Sequence, residues 1–467
     1  DFGQVESDGI VVNFGAIETF FGDKRPFFTE NQGYFEVPFG SLGNAQQLIY
    51  TRRVGARADD GSGSGDVTAA VKINGSLGGF GYGLFAATEG DVVGRDFYAL
   101  RATRGFEQQN IGTMVTRVNR PFLDREATVF SVDHQWRPNA KWSIRTNLVG
   151  SNIDQRGETV RDTGAQVRID HDIGDGWRQQ LYMLHSGGDL QLNDFGFLDR
   201  NNFNYARYEI ARRFTSLPET SPYASHQWRL AASHRSNDDG VQIGDAFAMN
   251  RYSERRDGGN QFFEIAGWTP GHDDLITRGN GVVDHPGRLF AFAERFFPKK
   301  KHWSFYGNAR YNAEGLGGID RGAWTTYLEP NYAFNDDLSV FLGLELQRNP
   351  DWTIWDRDTR RLVTYGSEQA LLNAGAVWLI GSKQELRVRL EALGLDAEAK
   401  RAWTVAADGT PVRNHDPIES FALRNLGFQV RYRYEFAPLS YLYLAYVRGG
   451  SLFDRGHGAY SVGDEFI

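Results

Sequence analysis

Apolar and polar residues alternate one by one over long stretches of this chain. From Leu426 to Phe436, every second residue is apolar, and the residues between them are charged, polar or glycine. Residues 385–392 follow the same pattern. Because successive side chains of a β-strand point to opposite faces, the pattern predicts strands with one apolar and one ionic face. The charged positions in these two stretches are Glu385, Arg387, Arg389, Glu391, Arg431, Arg433 and Glu435.

Short turns and long polar stretches separate the predicted strands. The long stretches are Ala56–Asp66, Asn237–Gly259 and Trp352–Arg361. The short turns, several of them flanked by aromatic residues, are Arg137–Lys141, Asp172–Gly176, Pro298–His302, Asn335–Asp337, Gly381–Gln384 and Ala437–Ser440. Tight turns at one end and long loops at the other are typical of transmembrane barrels. The predicted fold class is therefore all-β, a transmembrane antiparallel outer-membrane β-barrel over residues 46–467.

The number of turns predicts the size of the barrel. Three more hairpins are expected at Asn74–Gly79, Arg104–Gln109 and Ser216–Ser225, and a strand at Leu48–Gly55 leads into the first of them. Bacterial barrels have an even number of strands, so about 18–20 strands are expected. Since the stretch Ser451–Glu465 reads as a loop, the closing strand is expected beyond the last residue.

Composition removes several other classes of protein. No stretch approaches the roughly 18 consecutive apolar residues of a membrane-spanning helix. The chain has no cysteine, which excludes thiolate metal sites, disulfides and thiol nucleophiles. The formal net charge of -8 disfavours a nucleic-acid partner, which would favour a basic surface. Neither a GxSxG nor an HExxH motif occurs, so we expect no catalytic residues, no metal site and no cofactor.

Residues 1–45 do not follow the strand pattern. Their most unusual stretch, Phe20–Phe35, places two cations and a proline among aromatic rings, which is unsuited to contact with lipid. Two interpretations remain open: a strap packed against a rim, or a plug inside a lumen that the barrel's own side chains cannot fill. The candidate plug residues are Lys24, Arg25, Phe27, Phe28 and Glu30.

Several N-terminal blocks resemble a known protein family. These are DFGQVESD, VVNF, FFGDKRPFFTEN and LIYTRRVG, with NDFGFLDRNNF further along the chain. They are similar to the start of the barrel region in uncharacterised outer-membrane proteins with a domain of unknown function. Gly22, Asp23 and Thr29 depart from the residues most common in that family. The resemblance implies a Gram-negative outer-membrane location and, in typical members, an upstream carbohydrate-binding domain of the family-nine type.

The ionic face supplies the candidate site. Besides the charged positions given above, Arg168, Asp170 and Arg310 are predicted to face the lumen. Such side chains could set the selectivity of a pore. Alternatively, opposite charges on neighbouring strands could pair and stabilise the wall, and the close alternation of both signs favours this interpretation.

Two functions are consistent with these features. The first is a barrel that binds or passes polar solutes, with glycans suggested by the family's usual additional domain. The second is a plugged barrel that acts as a membrane anchor or scaffold subunit. The expected partners are the lipid bilayer and lipopolysaccharide, together with partner protein subunits or lipoproteins. An embedded hydrolase is disfavoured, since no catalytic motif occurs.

Overall fold

The computed structural model describes residues 9–40, 46–90, 92–438 and 440–455, and nearly all of its regular structure is β-strand. The predicted closing strand and most of the predicted final loop lie outside these residues, as do parts of the predicted strap. Among the described residues, no helix has the length and apolar character needed to cross a membrane. The helical segments are short: Pro26–Thr29, Gln32–Phe35, Thr51–Arg53, Pro121–Leu123 and Gly318–Arg321.

The chain divides into two units. The first contains Ile17–Ile210 and Ala232–Gln242, and the second contains residues up to Ala16, Ala211–Ala231 and the described residues from Ile243 onward. The strands of the first unit are β1 (Val67–Leu77), β2 (Phe80–Glu89), β3 (Asp96–Gly105), β4 (Gln109–Arg120), β5 (Arg125–Asn139), β6 (Trp142–Gln155), β7 (Glu158–Gly174) and β8 (Trp177–Ser186). Strands β9 (Phe203–Phe214) and β10 (Tyr223–Ser236) contribute residues to both units.

The second unit contains the remaining strands. They are β11 (Ala246–Arg255), β12 (Asn260–Trp268), β13 (Gly271–Asp273), β14 (Val283–His285), β15 (Arg288–Lys300), β16 (Trp303–Ala313), β17 (Ala323–Ala333), β18 (Leu338–Asp356), β19 (Arg361–Ile380), β20 (Gln384–Val405), β21 (Pro411–Asn414), β22 (Phe421–Ala437) and β23 (Ser440–Arg455). Strands β13 and β14 form a separate two-stranded sheet. Strand β20 pairs with β21 near its end and with β22 along the rest of its length.

The described residues contain ten antiparallel hairpins of long strands, and this confirms the predicted size at its upper value. Three predicted segments are wrong: one predicted strand and two predicted loops. Leu48–Gly55 is not a strand, because its consecutive Leu48, Ile49 and Tyr50 are all buried rather than alternating. The supposed loop Asn237–Gly259 contains β11, and the supposed loop Trp352–Arg361 is mostly strand, with only residues 357–360 as the turn.

Each unit has strands with two different faces. In the first unit, Leu84 and Leu100 are 40% and 57% exposed, whereas the intervening positions of β2 and β3 are largely buried. In the second unit, Trp324, Leu342 and Leu346 are 59%, 50% and 52% exposed. We call this exposed side the apolar face and the opposite side the polar face.

An exposed apolar face on long antiparallel strands is the surface of a protein embedded in lipid. Strands can cross a bilayer only when every backbone group is paired with a neighbouring strand, as in outer-membrane barrels. The predicted fold class and the Gram-negative outer-membrane location are therefore confirmed.

Candidate functional site

In the first unit, the N-terminal segment lies on the polar face of the strands. The Phe28 ring is 1% exposed and lies 6.1 Å from the ring of Phe85 on β2. Phe35 lies so close to Gly83 that a Cβ atom at this glycine would be 2.8 Å from the ring. Further along, the Pro38 carbonyl accepts a hydrogen bond of 2.5 Å from the amide of Asn147 on β6. The segment therefore covers β2 and β6, which are separated by three strands in the chain order.

A buried ion pair fixes the conformation of this segment. The Arg25 guanidinium lies 2.6 Å from the Asp23 carboxylate and donates to the carbonyl oxygens of Thr51 and Val54, each at 2.7 Å. It also lies over the Phe28 ring, 4.0 Å from the centroid. Burial alone would raise the pKa of Asp23, but hydrogen bonds from Arg25 and Thr51 outweigh it and lower the pKa below 3.8. The carboxylate therefore stays ionised at neutral pH.

The other candidate plug residues lie around the same point. Lys72 on β1 donates a hydrogen bond of 2.5 Å to the Phe27 carbonyl and another to the Glu30 carbonyl. Lys24 also makes an interaction with the rest of the protein. The structure thus brings the five residues together beside β1 and β2, although their role as a plug stays a prediction.

The NDFGFLDRNNF stretch contacts the N-terminal segment and the residues that follow it, and the Phe197 ring lies 5.1 Å from that of Phe20. Gln47 and Phe197 exchange two backbone hydrogen bonds, of 3.1 and 2.8 Å, as a pair of antiparallel residues does. The Phe195 ring packs against Phe85 and Phe97 at centroid distances of 5.6 and 5.2 Å. Two blocks that are far apart in sequence therefore form one packed element on the polar face.

A chain of alternating charges, which the sequence did not predict, runs beside this element. Successive ion pairs, at distances of 2.7, 3.7, 2.6, 2.9 and 2.7 Å, connect Glu89, Arg95, Asp59, Arg120, Asp194 and Arg125 in that order. The carboxylate side chains are at most 5% exposed. Burial opposes ionisation of Asp194, yet hydrogen bonds from Arg125 and Arg120 lower its pKa.

A cavity of about 310 Å³ opens beside Arg120 and Arg125. Its wall is polar on most sides, with the amides and carboxylates of residues 191–201 next to the two guanidinium groups. Such a lining can hydrogen-bond a hydroxylated or anionic solute. The strand pattern could not reveal it, because most of its residues come from a loop.

In the second unit, residues 9–16 also lie on the polar face. The backbone N–H of Ile10 donates to the Glu391 carboxylate of β20 at 3.2 Å. The Phe14 ring lies 5.3 Å from Trp352 and 5.5 Å from Phe421. These contacts extend a hydrophobic cluster of β19, β20 and β22 whose buried members are Val363, Tyr365, Leu393, Leu395, Ala397 and Phe421.

The predicted ionic residues of β20 and β22 occupy one face and pair with one another. Glu385, with a side chain only 6% exposed, lies 2.6 Å from Arg387, 3.2 Å from Arg431 and 3.3 Å from Arg433. Arg389 and Glu391 pair at 2.6 Å, on the same face of β20. The structure therefore favours wall stabilisation for this group, whereas the orientation toward a lumen stays a prediction.

The remaining candidates are spread over other strands. Arg168 pairs with Asp170 at 3.0 Å on β7 of the first unit. Arg310 on β16 is opposite Thr325 in the register and therefore shares its polar face. Glu435 lies near the end of β22, where its backbone N–H donates to the Lys383 carbonyl oxygen.

Within the described residues, no group of three or more His, Asp or Glu side chains is placed to hold a metal ion. His272 on β13 and Asp284 on β14 are opposite each other in the strand register, and the His272 Nε2 atom lies 3.3 Å from the Asp284 carboxylate. A His–Asp contact by itself does not make a catalytic arrangement.

Comparison with known proteins gives a family and distant structural likenesses. No curated protein matches the chain. Among solved structures, it is similar to the siderophore receptor PirA from Pseudomonas aeruginosa, with a TM-score of 0.43, 9% identity and 80% of each chain covered. It is also similar to the RagAB peptide importer, with a TM-score of 0.42, 9% identity, and 88% of this chain and 56% of that one covered.

A third likeness is to the FpvAI–pyocin S2 complex, with a TM-score of 0.40, 10% identity, and 84% of this chain and 61% of that one covered. The chain therefore spans less than two thirds of the last two proteins, and likenesses this remote carry no argument about its function. The match to a family model, in contrast, covers most of the chain. A domain of unknown function (DUF5916) matches residues 1–76 and 108–454, so the chain belongs to this family, as the N-terminal blocks predicted.

Proposed function

We propose that this protein is an outer-membrane barrel that binds or passes polar solutes and that its N-terminal segment closes the lumen as a plug. The observation that carries the proposal is the position of this segment on the polar face of each unit. In a barrel, the polar face of the strands lines the lumen, because the apolar face contacts lipid. A segment bound to the polar face therefore obstructs the lumen.

The segment has the polar, paired surface expected of a plug inside the lumen rather than of a segment in contact with lipid. Its buried cation, Arg25, has a carboxylate, two carbonyl oxygens and an aromatic ring as partners. Its carbonyl groups accept hydrogen bonds from the strand residues Lys72 and Asn147. Both kinds of contact require partners that lipid cannot supply.

Glycans are one solute class within this proposal. The cavity beside Arg120 and Arg125 supports it, because amides, carboxylates and guanidinium groups form hydrogen bonds with sugar hydroxyls. The family resemblance, with its sugar-binding domain in typical members, adds to this support. Lipopolysaccharide and lipoproteins are further proposed partners, on the ground of the outer-membrane location alone.

The second candidate is a scaffold in which the plug never leaves. The buried contacts of Arg25 favour it, because withdrawal of the segment would leave the carbonyl oxygens of Thr51 and Val54 without their guanidinium donor.

Single-channel conductance in a planar bilayer distinguishes the two candidates. We expect the intact chain to be silent, or to open only briefly, and a variant lacking residues 1–40 to conduct steadily. A steady conductance in the intact chain would contradict the plug. Silence in both proteins would contradict passage of solutes and support the scaffold.

A cross-link provides the matched control for deletion, which could disturb folding. Because the chain has no cysteine, Phe27→Cys and Lys72→Cys introduce the only two thiols. The Lys72 ammonium reaches the Phe27 carbonyl at 2.5 Å, so a short bifunctional thiol reagent can join the two positions. We expect the cross-linked protein to lose any openings and to regain them when a cleavable linker is reduced.

A further inference from the structure

The polar face of the second unit carries carboxylates that have no cationic partner. Glu264 on β12, Glu294 on β15, Glu329 on β17 and Glu345 on β18 form no ion pair within the part of the chain that the structure describes. They accept hydrogen bonds from neutral groups instead, as Glu294 does from Tyr306 at 2.7 Å. Glu329 likewise accepts one from Tyr327, and Glu264 accepts a weak one from Asn250 at 3.3 Å.

Aromatic rings alternate with these carboxylates in the strand register. Phe262 is opposite Glu294, and Phe292 is opposite Glu264, across β12 and β15. Tyr306 is opposite Glu329, and Tyr327 is opposite Glu345, on the following strands. Directly opposed side chains of antiparallel strands have Cβ atoms about 4.5–5.5 Å apart, so each carboxylate lies beside a ring. The aromatic–glutamate surface consists of Phe262, Glu264, Phe292, Glu294, Tyr306, Tyr327, Glu329 and Glu345.

Several of the rings also contact one another. The Phe262 and Phe292 centroids are 6.1 Å apart, and those of Tyr306 and Tyr327 are 6.0 Å apart. These rings are half-buried, so part of each remains open on the polar face. Arg310 is a cation at the same face, opposite Phe292 in the register. Arg288 on β15 also lies on this face, opposite Trp268. Two guanidinium groups beside four carboxylates leave a net negative charge.

The surface continues into a cavity beside the N-terminal residues. A cavity of about 280 Å³ is lined by Glu345, Gln347 and Gln369 on one side and by Ile10 and Val12 on the other. This space is large enough for a small polar group and has an acidic side chain in its wall. Ile10 and Val12 would leave the wall of this cavity if the N-terminal residues withdrew.

We propose that the aromatic–glutamate surface binds the alkylammonium groups of solutes. Carboxylates form charge-assisted hydrogen bonds with ammonium groups, and ring faces attract cations through their quadrupole. A neutral glycan can hydrogen-bond these carboxylates but offers them no opposite charge, and an anionic solute would be repelled by them. The inference rests on the proposed function, since it names a chemical class for the polar solute.

Amines of this kind occur both in basic peptides and in amino sugars, and one experiment separates the two sources. Calorimetric titration of the intact chain in detergent, at low salt, would use trilysine and the glucosamine trimer as probes. Their fully N-acetylated forms, which lack the ammonium charges, are the matched controls. We expect both amines to bind and the acetylated forms to bind far more weakly. The tighter of the two amines identifies the source.

Charge-removing variants locate the site. We expect Glu294→Gln and Glu345→Gln each to weaken binding of the amines by about tenfold, because each removes a charge-assisted hydrogen bond. Glu368→Gln is the control: this residue lies next to Gln369 on β19, points to the opposite face and is paired with Arg348. Its binding should match that of the unmodified chain.

The surface would lose this role if the acetylated probes bound as tightly as the amines, if neither amine bound, or if the double variant Glu294→Gln/Glu345→Gln bound normally. Failure of the proposed function would appear in the conductance measurement and not in the titration. A chain that stays silent after removal of residues 1–40 but still binds amines through Glu294 would contradict passage of solutes and leave the binding surface standing.

Discussion

The N-terminal segment is held in two different ways in the two units. Around Arg25, it is attached by a buried ion pair, carbonyl hydrogen bonds and the fully buried Phe28. At residues 9–16, it is attached mainly by half-buried apolar side chains such as Phe14, with Ile10 donating to Glu391. The attachment around Arg25 depends on directional hydrogen bonds and an ion pair, which are lost together. The attachment of residues 9–16 depends on buried apolar surface area, which can be lost gradually.

The difference suggests an order of release. A segment that leaves a polar face would detach first where its contacts are weakest. The account therefore predicts that residues 9–16 open more often than residues 23–35, and that the plug is anchored by the part around Arg25. Each of the following predictions weakens one attachment and leaves the other intact.

The largest effect is expected from Arg25→Ala. The change leaves the Asp23 carboxylate buried without its cation, and breaking a buried pair in this way typically costs about 3–5 kcal/mol. Hydrogen exchange of the amides of residues 26–35 should accelerate by more than a hundredfold. Asp23→Ala combined with Arg25→Ala should recover part of the loss, because no unpaired charge then remains. Unchanged exchange would show that the pair does not anchor the segment.

A smaller effect is expected from Phe14→Ala. Its ring is only half-buried against Trp352 and Phe421, so its removal should cost about 1–2 kcal/mol, below the roughly 3–5 kcal/mol of a fully buried aromatic residue. Residues 9–16 should become more susceptible to proteolysis while residues 23–35 remain protected. Equal loss of protection in both parts would show that the segment detaches as one body.

A still smaller effect is expected from Glu18→Gln. Its partner Arg53 lies 2.7 Å away, but the Glu18 side chain is 44% exposed, and pairs of this kind contribute below about 1 kcal/mol. The variant should match the unmodified chain in proteolysis and in hydrogen exchange. A loss as large as that of Arg25→Ala would mean that the attachment is spread over many contacts.

The smallest effect is expected from mild acid. The pKa of Asp23 is lowered below 3.8, so its contribution to stability is fully present above the unfolded-state pKa and is lost only as pH falls through the lowered value. Protection of residues 23–35 should therefore be constant from pH 8 to pH 5 and decline below about pH 3.8. Loss of protection between pH 7 and pH 5 would indicate that another group controls the anchor.

The strands could be predicted from the sequence because side-chain alternation is a local property. The ionic residues from Glu385 to Glu435 lie on one face of β20 and β22, and a period of two places them there. Strand β11 was missed because Arg251 lies among its outward residues Phe247 and Met249, which breaks the apolar alternation. Nine of the ten hairpins were thus predicted: the β11–β12 hairpin was missed, and a strand that the structure does not contain was placed at Leu48–Gly55.

The contacts of the N-terminal segment could not be predicted in the same way. Arg25 and Phe28 were recognisable as unsuited to lipid, but their partners Val54 and Phe85 follow no pattern in the sequence. The ion pairs from Glu89 to Arg125 join residues of three strands and three loops, and only the folded chain brings them together. Pairing across such distances depends on tertiary structure rather than on periodicity.

Thiol labelling tests most directly the claim that the N-terminal segment covers the polar face. Asn147→Cys places a thiol under Pro38, whereas Arg145→Cys places one on the same strand and face, where the Arg145 side chain is half exposed. With a membrane-impermeant maleimide, Arg145→Cys should react quickly and Asn147→Cys slowly, and removal of residues 1–40 should make the two rates similar. Equal labelling of both thiols in the intact chain would contradict the account.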